Sequence, residues 1–485
     1  MEKGGDAPLE KGMGGEKKQC MNTERLATGN SSSMSSIRGD EESRIGEEIT
    51  TAEKVPSLSR TATGPGQESM LAKTITLVRT RETEDPGPPP DGGLVAWSQA
   101  AIGHLVILNT WGYINSFGVF QAYYSEALDQ PHSNISWVGS IQIFLLFFIG
   151  TFSGRATDAG FFKVTWGAGC VINLLGIFMT SLSKTYWQLF LAQGLCQGIG
   201  CGLMFCPTLA LLATYFSKNR GFAIGVGASG SATGGLIFPA VVERLLPQIG
   251  FPWTMRVLGF ITLATQIPAI LWLKQRLPPR KSGPILELAA FKELPYLLFS
   301  IGMFLNFLGL YVAFFYISSF ARDIIGLSRS TAINLLLIMN GSGMLGRLLP
   351  NYLADQYLGP LNLLIPFAFV SGVVLFGWTG VHDIDGLYAF AVIYGLSAAG
   401  VQSLFPATLS SLTTDLKKTG VRMGMVMSIV GCSSLMGSPI AGALIDSKNG
   451  DYLYAQIFAG VVMFAGSMIL VAARVIKAGY GLTKV

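Results

Sequence analysis

From Leu94 onward the chain offers one apolar run after another, each about 20 residues long and so able to cross the ~30 Å hydrocarbon core of a bilayer. No water reaches that core, so every backbone N–H and C=O inside it must bond within the protein, which leaves helices or a closed barrel. The runs are continuously apolar rather than alternating, which excludes a barrel. Twelve helical spans are predicted, at 96–122, 134–154, 164–183, 187–213, 221–243, 253–273, 296–320, 330–350, 361–381, 386–411, 423–445 and 452–474. Only 13% of residues are charged, about half the share in soluble domains, which is too few to coat several soluble cores. The 59 glycines suit helices that pack closely in lipid.

Residues 1–90 have a different character, rich in Ser, Thr, Gly, Glu and Lys and without a long apolar run. They bury too little apolar surface to fold alone and are expected to be a disordered cytosolic tail; they lack the apolar core of a signal peptide. The predicted organisation is then an N-terminal six-helix half at 91–273, a polar cytosolic linker at 274–295 and a C-terminal six-helix half at 296–485. Lys and Arg set the orientation. With both termini in the cytosol, the inner loops hold Lys163, Lys218, Arg280, Lys281, Lys292, Lys417 and Lys418 among others, and the outer loops only Lys184, Arg244, Arg322, Arg329 and Lys448. The net charge of +5 forms no clustered basic face, so nucleic acid is not an expected partner. The six Cys and three His show no metal-ligand spacing. Cys170, Cys196, Cys201, Cys206 and Cys432 read as small buried hydrophobes, and no cofactor is expected.

The two halves repeat. Span 4 ends in Phe205, Pro207, Thr208 and Leu209 before a basic loop to Arg220; span 10 ends in Phe405, Pro406, Thr408 and Leu409 before a basic loop to Arg422. Gly235 and Gly437 follow each Arg at the same distance. Gly154-Arg155 with Asp158 closes span 2, and Gly346-Arg347 with Asp355 closes span 8. Two parallel six-helix halves around a central cavity suit a transporter that rocks between states; a channel does not need the doubling.

Three motifs carry a family resemblance. Asp91-Gly92-Gly93 with Ala96-Trp97 leads into span 1, Tyr215-Phe216-Ser217-Lys218-Asn219-Arg220-Gly221-Phe222-Ala223-Ile224-Gly225 leads into span 5, and Gly154 to Lys163 with Asp158-Ala159-Gly160 joins spans 2 and 3. At these residues the chain resembles the major facilitator superfamily, and within it the fungal branch of the monocarboxylate-porter family, from Asp91 to the C-terminus. The resemblance implies a multi-pass transporter of twelve transmembrane helices. It also places Asn115 where animal porters carry a Lys, Gly343 where they carry an Asp, and Arg347 at an Arg that they share. Those charges serve the family in binding carboxylate and proton together, so the chain keeps only the Arg of that set.

Polar side chains in a lipid-embedded helix face a cavity or a partner helix. Span 1 offers Asn109 and Tyr113 on one face and His104, Trp111 and Asn115 on another. Spans 7 and 10 offer Asn306, Tyr311 and Gln402. With Arg347, the residues Asn109, Tyr113, Asn115, Asn306, Tyr311 and Gln402 are the candidate substrate contacts, each Asn having an interhelical hydrogen bond as its equal alternative. Arg155, Asp158, Arg220 and Asp355 lie at helix ends and are the candidate gate, whose bonds would hold in one state and break in the other. On helix 5 the spacing of Gly227, Gly230 and Gly234 predicts a face for close packing.

The leading functional expectation is proton-driven efflux of a fungal secondary metabolite across the plasma membrane, with small organic cargo, protons and the lipid bilayer as partners. An importer of a monocarboxylate, or of a vitamin such as riboflavin, is the first alternative. A non-transporting receptor would need a signalling domain, and the tail shows none. No Ser-His-Asp set, HExxH or nucleotide-binding loop points to an enzyme.

Overall fold

The computed structural model describes residues 87–277, 286–413, 419–481 and 483. Residues 1–86 of the tail expected at 1–90, and linker residues 278–285, lie outside the described residues. Among the described residues ten helices are long and apolar enough to cross a membrane. One of them, Arg220–Trp272, is two spans in sequence, broken at Gly250, whose φ of 73° and ψ of 170° are not helical and suit a residue without a Cβ. The first span runs over 93–128 and is interrupted by a π turn at Leu108–Gly112. Split at Gly250 and joined by that first span, the ten become twelve, and no strand occurs among the described residues.

In chain order the helices are α1 (93–128), α2 (His132–Asp158), α3 (Phe162–Thr180), α4 (Tyr186–Tyr215), α5 (220–249), α6 (251–272), α7 (Leu294–Asp323), α8 (Arg329–Leu358), α9 (Pro360–Trp378), α10 (Ile384–Leu412), α11 (Thr419–Ser447) and α12 (Leu453–Ala478). An even count puts the start of α1 and the end of α12 on one side, here the terminal face; the other is the opposite face.

The halves meet along three seams, α1 with α7, α2 with α11 and α5 with α8, of which α2–α11 is the most extensive. Within each half a glycine row sets a close helix crossing. A Cβ on Gly230 or Gly234 of α5 would run into the α1 carbonyls of His104 and Leu108, and one on Gly437 of α11 would run into the α7 carbonyl of Leu308. The α5–α1 packing in one half therefore reappears as α11–α7 in the other.

Two sequence motifs form a single knot at the terminal face. Asp91, with φ 54°, accepts hydrogen bonds from the Ser217 amide, the Lys218 amide (2.9 Å) and the Ser217 hydroxyl (2.6 Å). Arg276 donates to the carbonyls of Pro88 (2.7 Å) and Thr214 (3.1 Å). The leader, the α4–α5 loop and the end of α6 are thus tied together. The Ser217 hydroxyl and the two amides hold the Asp91 carboxyl below the usual carboxylate range. In the other half the linker's far end makes its own clamp. Arg422, on the first turn of α11, is buried between Glu287 (3.1 Å) and Glu293 (2.8 Å) and lies over the ring of Tyr296. Read as loop chemistry in the sequence, Arg422 is a buried anchor, and it holds the Glu293 carboxyl below its ordinary range.

Candidate substrate cavity and gates

Between the halves lies a cavity of about 520 Å³, its open mouth included. Four helices of each half line it: α1, α2, α4 and α5, and α7, α8, α10 and α11. The lining runs from Ile224, near the start of α5, to Trp111 and Tyr311 at mid-helix, so the cavity occupies the terminal side of the bundle. Six of the sixteen residues in its wall are aromatic. Trp111 meets Phe147 (5.3 Å between centroids) and Phe205 (5.5 Å) edge-on, and Phe307 meets Phe405 at 5.5 Å. Trp111 of α1 stacks on Tyr311 of α7 at 6.1 Å with an interplanar angle of 15°, a pair that spans the two halves.

Among the described residues one charge enters this wall. Arg347 is 2% exposed. It donates to the Gly343 carbonyl (3.1 Å) and to Oε1 of Gln402 on α10 (3.1 Å). Among the described residues no carboxylate bonds it. Its Nη1 lies 2.8 Å from where a Cβ on Gly343 would stand. The guanidinium thus rests against a residue that has no Cβ. Isolated buried charge is costly in a low-dielectric interior, and two neutral acceptors offset only part of that cost. An anion entering the cavity would complete the set. The Tyr311 hydroxyl and Nε2 of Gln402 also lack partners among the described residues.

Of the seven candidate substrate contacts, Tyr311, Arg347 and Gln402 line this cavity. The other four lie off its lining. Asn109 accepts from the Thr265 hydroxyl of α6 (3.0 Å). The Tyr113 ring packs on Phe120 and Phe238 inside the first half. Asn306 donates to the Gly302 carbonyl (2.8 Å) and abuts Gly466 of α12. Asn115 is buried with neither side-chain atom partnered among the described residues. The wall rings of Trp111, Phe147, Phe205, Phe307 and Phe405 were not among the candidate contacts. In an apolar run, hydropathy cannot tell a cavity-facing ring from a lipid-facing one. The repeat carried a usable signal, because Phe205 and Phe405 hold corresponding places in it.

At the terminal face Asp355 crosses from the second half to the first. Its carboxylate accepts from the Phe222 amide (2.9 Å) in the first turn of α5, and the ring of Phe222 meets that of Tyr352 at 6.0 Å. Asp158 lies beside the start of α11, its Oδ2 3.8 Å from where a Cβ on Gly420 would be. A carboxylate at a helix N-terminus is favoured by the unbonded amides and the helix dipole. Of the other gate candidates, Arg155 is half-buried near the end of α2, and Arg220 is exposed as the first residue of α5. Between them and the cavity, Thr151 of α2 donates to the Gly424 carbonyl of α11 (3.0 Å).

The family model of the Major Facilitator Superfamily matches residues 102–420. A "MFS-type transporter" of Gibberella zeae is 46% identical over 392 residues, which cover 80% of this chain and 89% of the relative. The aspyridones efflux protein apdF of Emericella nidulans is 34% identical over 84% of this chain and 83% of its own length. The agnestins efflux protein AgnL12 of Paecilomyces divaricatus is 33% identical over 86% of this chain and 98% of its own.

Proposed function

The chain belongs to the major facilitator superfamily of transporters, and we propose that it exports a planar organic anion, a secondary metabolite, through the cavity between its halves. The observation that carries this reading is Arg347, a buried cation that no carboxylate among the described residues bonds, in a largely apolar wall with six aromatic rings. The wall favours a conjugated cargo that can lie against Trp111 and Tyr311, and the guanidinium favours a carboxylate or enolate on it. Two relatives that span most of this chain are named as efflux proteins, of aspyridones and of agnestins, which supports export over import.

The knot of Asp91 with the Ser217-Lys218 loop supports a place in the monocarboxylate-porter family, whose two motifs it joins. The bias of Lys and Arg toward the terminal face supports cytosolic termini, and with them a cavity on the cytosolic side of a plasma-membrane exporter. Protons are the proposed coupling ion.

Disruption of the gene in the producing cell tests the reading. Metabolite profiling should show an anionic, conjugated product moving from the medium into the cells, with return to the medium when the wild-type chain is restored. An unchanged partition of every such product would exclude export as the function.

A further inference from the structure

The α2–α11 and α5–α8 seams are antiparallel helix pairs, so each brings a helix start beside a helix end at both faces. At the terminal face the crossing carboxylates are Asp158 and Asp355. At the opposite face the same relation recurs with residues that no gate assignment includes. Asp446, near the end of α11, accepts from the amides of His132 (3.3 Å) and Ser133 (3.0 Å), the first two residues of α2. Glu243 of α5 accepts from the Ser330 hydroxyl in the first turn of α8. We propose that Asp446 is the latch that keeps the cavity closed to the opposite face, by capping the N-terminus of α2 from the other half, with Glu243 a weaker second latch on α8.

The helix caps explain the ranking. α2 begins after Pro131, which supplies no side-chain cap, so its first amides depend on Asp446. α8 has its own cap, since the Ser328 side chain accepts from the Thr331 amide. Glu243 therefore adds to a start that is already satisfied.

The surroundings of Asp446 are built for close contact that must be broken on opening. A Cβ on Gly442 would lie 2.8 Å from the backbone of Ser133, so only glycine lets α11 reach α2 there. The Ser133 hydroxyl donates to the Pro439 carbonyl (3.1 Å). The Tyr316 hydroxyl of α7 donates to the Ser438 carbonyl (3.1 Å) and bonds the Ser136 hydroxyl. A cavity that serves both faces must at some stage separate α2 from α11 at this end. That step strips the cap from α2 and these bonds with it.

Thiol accessibility reads the latch without any cargo, so its outcome is independent of the export reading. Ser140 is the reporter: it is fully buried, its hydroxyl has no partner among the described residues, and it sits one turn past Ser136 and one turn before Phe144, whose carbonyl faces Gly431 of α11. The full-length Ser140→Cys protein in detergent is treated with a water-soluble maleimide, and labelling at residue 140 is followed by mass spectrometry. Asp446→Ala should speed labelling by about tenfold, and Asp446→Asn, which still accepts, by less. Glu243→Ala should have a smaller effect than Asp446→Ala. The pair His132→Cys with Asp446→Cys, once oxidised, should return labelling to the slow rate, which separates an opened latch from a misfolded protein. Labelling of Asp446→Ala at the parent rate, or fast labelling in the oxidised pair, overturns the proposal.

Discussion

Arg347 was visible in the sequence because a charge in an apolar run is rare and must be explained. Its local geometry was not visible. The guanidinium turns back onto the Gly343 carbonyl and reaches Gln402, which lies in another span. Polar residues such as Asn109, Tyr113 and Asn306 gave an equally strong sequence signal, yet polarity says only that a side chain needs a partner, and each packs within its own half. Trp111 and Tyr311 show the converse: a ring in a hydrophobic helix carries no mark of which way it faces, and only packing brings the two into a stack. Gly343 gives the residue-scale prediction. Gly343→Asp puts a carboxylate where the Arg347 guanidinium now rests, and the pair would neutralise the cavity's one charge. Binding of 2-naphthoate to the purified protein, followed by calorimetry at neutral pH, should weaken by about tenfold, equivalent to ~1.4 kcal/mol. Unchanged affinity would mean that the anion does not meet Arg347.

The twelve spans were legible as elements because each is a long apolar run, and the glycine row of α5 was legible because its spacing follows the helix. Gly230 and Gly234 do lie against α1. One interruption was not legible. The π turn at Leu108–Gly112 lies in a run without Pro, whereas the break at Gly250 falls between the predicted spans 221–243 and 253–273. The contact between Asp91 and the Ser217-Lys218 loop was equally hidden, since a motif shows its residues and not its partner. That contact carries a pH prediction. The bonded Asp91 carboxyl titrates below its unfolded value, so its contribution to stability is present above the unfolded value and is lost as pH falls through the lower, folded one. Asp91→Ala should therefore lower the melting temperature at neutral pH, and the gap to wild type should narrow once the solution is more acid than the ordinary carboxylate range. A gap that stays constant through that range would show that the charged form of Asp91 adds nothing to the knot.

At the scale of the whole molecule, the repeat announced two like halves, and the structure turns that likeness into paired contacts: α5 on α1 and α11 on α7, Asp355 over α5 and Asp158 beside α11. What the repeat could not give is the set of seams, because which helices of one half face the other depends on packing around a shared axis. The cavity exists only where both halves contribute, and Arg347, Gln402 and Tyr311 from the second half face Trp111, Phe147 and Phe205 from the first. The most direct test of that shared cavity as an anion path is release from proteoliposomes that hold the full-length protein. The vesicles are loaded with 2-naphthoate under an imposed pH gradient and compared with protein-free vesicles and with Arg347→Gln. Wild type should release the anion well above the protein-free rate, and Arg347→Gln should retain about a tenth of that excess or less. Equal release by wild type and Arg347→Gln, or no release beyond the protein-free rate, would contradict a path for planar anions past Arg347.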